Sequence, residues 1–341
     1  MGTIQWGAED RHDLRQVAAE VIRWRDYVPD SPLYRLFADR ISGDPELLGI
    51  VAAIDNTPPL NLLFGAVKLG LDADDQLAAW YPHLAGRQVA EPSDAAYAAF
   101  RHHVLANRDA LLPTASARRT QTNEVGRAAV LLPWIPTDEP VHAIDIGASA
   151  GLNLCLDHFS YRYSGDVDVA LGTHSPRIDC EVRGPLAGPR RLPAFASRTG
   201  IDLAPVDATD PAQAAWLEAL VWPEHVDRLE RLRAAIGVRR ECDVRMLTAD
   251  AASVLTDVIA ALPPGPVVVW HTIALYQADA EARAYIDAAV EAAAGQRAVT
   301  RIGFEPVAGV DSPVVRVGPS FDHGRTVATA HPHGRWLQPV A

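Results

Sequence analysis

The chain has 341 residues, 48% of them hydrophobic, which is ample for a large core and more than the ~100–200 residues of one ordinary domain. Its formal net charge of -12 argues against the basic face that nucleic-acid binders display, so a small-molecule substrate is expected in place of RNA or DNA. Lys68 is the only lysine, leaving neither a Walker A lysine nor a second Schiff-base candidate, and basic contacts fall to arginine.

The opening stretch MGTIQWGAEDRHDLR carries charges where a signal peptide needs an apolar run. No stretch reads as a membrane span. The expectation is a soluble, cytoplasmic protein without a membrane partner; oligomeric state is not legible. From Asp10 to about Trp134 the pattern is helical. DLRQVAAEVIRWRDY puts Leu14, Val17, Ala18, Val21 and Ile22 on one stripe, and SPLYRLFADRISGDPELLGIVAAI repeats the signal behind Ser-Pro and Asp-Pro starts. DAAYAAFRHHVLANRDALL and QTNEVGRAAVLLPWI extend it. An all-helical domain is therefore expected over residues 1–135, with a second domain over 136–341.

After PTDEPVHAIDIGASAG come short β-rich runs: VHAIDI, RIDCEV, GIDLAPV, CDVRMLTA, PVVVWHTIAL, VTRIGFEPV, VVRVG and TVATAH. Helical patterns such as DPAQAAWLEALVW, HVDRLERLRAAIG, DAASVLTDVIAAL and ADAEARAYIDAAVEAAAG separate several of them. This alternation predicts an α/β fold with a mostly parallel sheet covered on both faces. The last two runs meet across SFDHGRT with no helix between them, which predicts an antiparallel hairpin ending the sheet. The three cysteines, Cys155, Cys180 and Cys242, fit neither a disulfide framework nor a C-x-x-C metal site and are expected as buried thiols.

HAIDIGASAGLNL, His142 to Leu154, carries two signatures at once. Gly147, Ser149 and Gly151 spell the G-x-S-x-G nucleophile elbow of a serine hydrolase, with a strand before and a helix expected after. With Asp145 the same residues spell D-x-G-x-S-x-G, a cofactor loop. Helices without an HGG-like oxyanion loop precede the site, and an ionised carboxylate ending a buried strand is costly without partners; an elbow has no use for it. The cofactor reading is preferred: Gly147, Ala148, Ser149, Ala150 and Gly151 are small enough for close approach of a ligand, and Asn153 follows them.

The arrangement resembles the first motif of class I S-adenosylmethionine (SAM) dependent methyltransferases, with Ser149 where that family usually has glycine. The resemblance implies a ribose-binding acid ending the second core strand, Asp202 in TGIDLAPVD, and a third acid near the adenine, Asp250 in VRMLTADAASVL. Asp145 and Asp202 are 57 residues apart, far beyond the ~20 of a compact unit, so either an insertion lies around Tyr161 to Arg198 or Glu181 in IDCEV is the ribose acid. Asp250 has a plain alternative as a helix N-cap.

More widely, SPLYRLFADRI, QTNEVGRAAVLLP, IDIGASAGLNLCLDHFSYRY, RTGIDLAPVD, WLEALVWPEHVDRLERLRAAI and HGRWL resemble the bacterial domain of unknown function family 2332 across nearly the whole chain. That resemblance implies a Rossmann-like methyltransferase sheet behind an N-terminal helical domain, and no established activity.

His271, just past the apolar strand in VVVWHTIALY, sits at the edge where doubly wound sheets bind ligands and is expected either as a general base or as a hydrogen-bonded structural histidine. Glu305, ending VTRIGFEPV, is expected to orient His271 or bind a substrate amine. Asn123, Arg127 and Tyr276 are candidate substrate contacts, Asn123 and Arg127 sharing a helix face four residues apart; an ordinary polar contact between domains is the alternative. His323, His331 and His333 invite a metal reading, but no cysteine or paired carboxylate accompanies them and none is expected. The function expected is a SAM-dependent methyltransferase acting on a small molecule, with the N-terminal helices as a lid. The alternatives are a non-catalytic metabolite- or nucleoside-binding relative and a serine hydrolase using Ser149.

Overall fold

The structure, a computed structural model, describes residues 11–86, 89–186, 188–189, 191–321 and 323–340. Twelve α-helices occur among them: α1 Leu14–Tyr27, α2 Pro32–Ile41, α3 Pro45–Ala52, α4 Pro59–Gly70, α5 Pro82–Ala85, α6 Asp94–Ala106, α7 Arg108–Ser116, α8 Arg127–Leu131, α9 Pro211–Ala219, α10 Val226–Glu241, α11 Ala251–Ala260 and α12 Ala280–Ala294. The strands are β1 Val141–Ile146, β2 Ser160–Gly165, β3 Val169–Leu171, β4 Arg177–Val182, β5 Phe195–Asp202, β6 Arg245–Thr248, β7 Val267–Thr272, β8 Val299–Glu305, β9 Val314–Val317, β10 Arg325–Ala330 and β11 Trp336–Pro339. No helix among the described residues is long and apolar enough to cross a membrane.

The chain divides into two compact units. The helical one holds the described residues up to Thr122 and takes back Pro211–Glu230 from later in the chain; the other holds Asn123–Asp210 and Arg231–Ala341. A single cut near residue 135 therefore does not describe the chain. The reason lies in α9 and the turn after it. Lys68 on α4 is buried and its Nζ donates to the Glu218 and Val221 carbonyls at 3.0 and 2.5 Å, in the last turn of α9 and just beyond it. Glu224 accepts from Leu33 N at 2.8 Å and Ser31 Oγ at 2.6 Å, closing the start of α2. Around these lies an aromatic core in which Tyr34 stacks on Phe64 and Phe37 on Phe100, with ring centroids 4.2 and 4.4 Å apart.

The second unit is built on one sheet in the order β3-β2-β4-β11-β10-β9-β8-β7-β1-β5-β6. The five strands from β8 to β6 are parallel throughout. β1 and β7 are buried at every position, as the near-continuous apolar runs of covered parallel strands require. The chain runs outward from β1 to β5 and β6, then returns to place β7 on the other side of β1, so strand order reverses between β1 and β7.

The 57-residue gap is an insertion, and it is structured. After β1 the chain makes a 3-10 segment, Leu152–His158, with a kink at Cys155, and then contributes β2, β3 and β4 to the far edge before returning as β5. The α-helix expected to follow the glycine turn is absent. The hairpin expected from VVRVG and TVATAH forms, β9 against β10, but does not end the sheet: β11 adds to β10, and β4 pairs parallel to β11 beyond it.

Alternation along the strands sorts the site residues by face. Ile144, Ile146, Val267 and Val269 share a core with α11 and α12, so His271 lies on that face. Asp145 pairs in register with Trp270 and projects to the opposite one.

Candidate functional site

The loop after β1 is a tight, self-satisfied turn. Gly147, Ser149 and Gly151 have φ of 74°, 51° and 68°. Gly147 and Ala148 donate to the Ile201 carbonyl at 2.8 and 3.3 Å, and Gly151 donates to Ala148 O at 2.8 Å. Ser149 N donates to Asp202 Oδ2 at 2.8 Å, and Ala150 N to Asn123 Oδ1 at 3.1 Å. Asn123 Nδ2 also donates to Ser149 Oγ at 2.9 Å. An amide cannot remove a proton, so this contact gives Ser149 no activating base. A Cβ on Gly147 would sit 2.5 Å from that of Ala274, so the turn is pressed against the segment after β7 and only glycine fits.

Asp145 is buried, and desolvation pushes its carboxyl up to about 8; the Trp270 indole and the charge of Arg127 oppose the rise, while Asp202 adds to it. Asp202 lies half-buried beside the loop, its other oxygen accepting from Ala204 N at 2.8 Å. Glu181, the alternative ribose acid, is exposed on β4 and pairs with Arg183 at 2.7 Å, several strands from β1; Asp202 is the acid beside the loop. Asp250 caps α11 by accepting from Ala252 N at 2.9 Å. Asn153 Oδ1 is buried without a hydrogen-bond partner.

His271 is 1% exposed and held at both nitrogens. Nδ1 meets Glu305 Oε1 at 2.7 Å, while Arg301 Nε donates to Nε2 at 3.2 Å, which fixes the proton on Nδ1. Burial lowers its pKa, outweighing the attraction of Glu305. Glu305 in turn accepts from the backbone of Ala274 and Leu275 at 3.1 Å and of Tyr276 at 3.3 Å. It thereby holds the turn in which Ile273, a β-branched residue, adopts φ 51°. Both ring nitrogens of His271 are thus hydrogen-bonded within the chain. Glu305 holds its Nδ1 and accepts backbone N–H groups beside it.

Arg127 is buried, its Nη1 on Thr272 O at 2.8 Å and its Nε on Pro332 O at 3.0 Å, tying α8 to the end of β7. His333 Nδ1 meets the buried Glu124 at 2.8 Å, and His331 Nδ1 accepts from His333 N at 3.0 Å; among the described residues no metal-binding cluster occurs. Cys155 and Cys180 are buried thiols, and Cys242 is half-buried.

The structure thus brings Asp145, Asn123, Asp202 and the Gly147–Gly151 loop together and sets His271 and Glu305 on the other face. Sequence reasoning missed Arg301, whose signal was a positive charge amid the apolar residues of VTRIGFE, and Leu203, which is 70% exposed immediately after Asp202. No curated protein and no solved structure matches the chain. Its family is nevertheless shown: over residues 25–338 the chain matches the family described as uncharacterized protein conserved in bacteria (DUF2332), and it belongs to that family.

Proposed function

We propose that this chain is a SAM-binding protein of the methyltransferase type acting on a small molecule, with a Rossmann-like sheet whose cofactor edge is the carboxyl end of β1, β5 and β6. The observation that carries the reading is the Asp202 carboxylate, fixed to Ser149 N at 2.8 Å beside the loop where strand order reverses, the position at which open α/β sheets bind ligands.

The residues fit the cofactor. A carboxylate offers about four acceptor sites, and Asp202 uses one on each oxygen for a backbone N–H, which leaves acceptors for ribose hydroxyls. The exposed Leu203 suits the apolar face of a purine, with Asp250 at the end of the neighbouring strand. The partnerless Asn153 Oδ1 suits an ammonium donor. SAM supplies an electrophilic methyl group when bound. The chain supplies alignment: Asp202 and Asn123 fix the loop, Glu305 fixes the turn after β7, and Asn123, Arg127 and Tyr276 are the residues proposed to border the acceptor. His271 acts through Glu305 as a positioning residue, and serves as a base only if Arg301 releases Nε2.

A second reading, a nucleoside- or metabolite-binding protein without turnover, is favoured by one observation, the engagement of both His271 nitrogens. Thermal shift with SAM and its demethylated product tests the shared part. Ligand at ~100 times its Kd adds about 2.7 kcal/mol, a rise of several degrees that Asp202→Ala should abolish. No shift with either ligand at millimolar concentration rejects the methyltransferase reading. Appearance of demethylated product when SAM is incubated with protein and a metabolite extract separates the methyltransferase from the binding protein.

A further inference from the structure

Two of the three cysteines converge where the chain leaves the glycine loop. Cys155 lies at the kink of the 3-10 segment, buried, with its Sγ 4.0 Å from the Gly151 carbonyl. Cys242 is half-buried in the turn between α10 and β6. Arg239 closes that turn, donating through Nη1 to the Cys242 carbonyl at 3.3 Å and through Nη2 to the Val244 carbonyl at 3.4 Å. The turn packs on the same glycine, since a Cβ on Gly151 would lie 3.4 Å from Arg239 Nε and 3.5 Å from Val244 Cγ1. The two thiols meet beside Gly151 and are hydrogen-bonded to each other. Their environment is asymmetric. Cys155 is the donor, and that bond together with burial raises its own pKa; the same bond lowers that of Cys242, helped by the charges of Arg198 and Arg239 against burial and Asp157. Arg198 is held there by Nε on Leu154 O at 3.0 Å and Nη2 on Asp157 Oδ2 at 2.5 Å. Cys180 has contrary surroundings: buried on β4, its thiol donates to the Glu181 carbonyl at 3.8 Å, and burial pushes it up to about 12.

We propose that Cys242 and Cys155 are a hydroperoxide-oxidised pair, Cys242 being the sulfur that reacts and Cys155 the sulfur that resolves it into an intramolecular disulfide. The Cys242 thiolate attacks one oxygen of the hydroperoxide. An S–O bond forms and the O–O bond breaks; the second oxygen takes a proton from solvent and leaves as water or an alcohol, and the sulfur, two electrons poorer, stands as a sulfenic acid. The Cys155 sulfur then attacks that sulfur, its S–H proton passes to the departing hydroxyl, and water leaves. Two thiol hydrogens are lost in all, and the peroxide is reduced. The new bond ties the segment leaving the glycine loop to the entry of β6, and its formation does not depend on the SAM reading.

Treatment of the reduced full chain with hydrogen peroxide, then alkylation with N-ethylmaleimide in denaturant and peptide mapping by mass spectrometry without reductant, tests it. A peptide pair joined through Cys155 and Cys242 should appear while Cys180 carries the maleimide, and dithiothreitol before alkylation should return all three cysteines to the alkylated form. Cys242 should be consumed at least about tenfold faster than Cys180, because the thiolate is the reacting form. Cys155→Ser removes the resolving sulfur and should leave a sulfenic acid on Cys242 that dimedone traps, whereas Cys242→Ser should leave Cys155 reduced. If Cys155→Ser does not fold, the wild-type map decides. Absence of the Cys155–Cys242 peptide pair, an equal yield of pairs through Cys180, or oxidation of Cys155 at the wild-type rate in Cys242→Ser would overturn the proposal.

Discussion

Asp145 and His271 end neighbouring strands, and burial gives their protons opposite effects on stability. Asp145 has a folded pKa of about 8 against ~3.9 unfolded. Between those values the folded state keeps a proton that the unfolded state has lost, so its contribution is full at low pH and falls as pH rises. Asp145→Asn should therefore stabilise the protein increasingly from about pH 4 to about pH 8, read as a growing difference in melting temperature from wild type. A flat difference would mean that the carboxyl is ionised in the fold. His271 runs the other way. Its folded pKa lies below the unfolded ~6.5, so its contribution is present above ~6.5 and is lost as pH falls toward the folded value. His271→Gln should flatten that acid limb, and an acid limb unchanged in the variant would show that the imidazole takes no part in it. From the sequence both residues read as strand-end polar groups at one edge. Which face each took was not legible, because β1 and β7 are apolar on both sides and alternation leaves no trace in such a run.

At the scale of elements, the parallel strands were legible because covered strands must be apolar, and α11 and α12 because each starts behind a capping aspartate, Asp250 and Asp279. β2, β3 and β11 were not. β3 is three residues long and partly exposed, and β2 carries Arg162 facing solvent amid tyrosines, which is edge-strand composition without a clear period. The segment after the glycine turn was misread as an α-helix because its apolar residues suit either geometry; the chain leaves the turn for the opposite edge of the sheet and has no full helix to build there. The meeting of the β1 loop with the turn after β7 is testable. Gly147→Ala combines a left-handed φ of 74° with a 2.5 Å approach to Ala274 Cβ. The first costs roughly 1–2 kcal/mol and the overpacking about 1–3 more. Ala274→Gly in the same chain should recover the packing part and leave the backbone part, so urea denaturation of the two single variants and the double should show non-additivity of about 1 kcal/mol or more. Additive values would place the two loops out of contact.

The whole molecule departs from the order of its sequence, since the helical unit is completed by residues 211–230. Helical periodicity marked residues 1–135 as a domain, and no local pattern could reveal that a later helix belongs to its core, because the contacts are long-range and chemically unremarkable: carbonyls on Lys68, a carboxylate on a helix start, an indole N–H on Arg119 O at 3.0 Å. The consequence concerns fragments. A chain ending at 135 leaves the Lys68 ammonium without its two carbonyls, the start of α2 without Glu224, and the apolar surface beneath Trp216 uncovered, when loss of one buried tryptophan side chain costs about 3–5 kcal/mol and a whole domain holds only ~5–15. That fragment should show helical circular dichroism without a cooperative melt, and a single chain joining 11–122 to 211–230 through a flexible linker should restore one. Trp216→Ala in the full chain should reproduce the defect locally, as earlier hydrogen exchange in α4 and α9 with the sheet amides protected. A cooperative melt of the 1–135 fragment with native-like dispersion of its amide resonances would show instead that the helical unit is complete without α9, and that the boundary read from periodicity alone is the physical one.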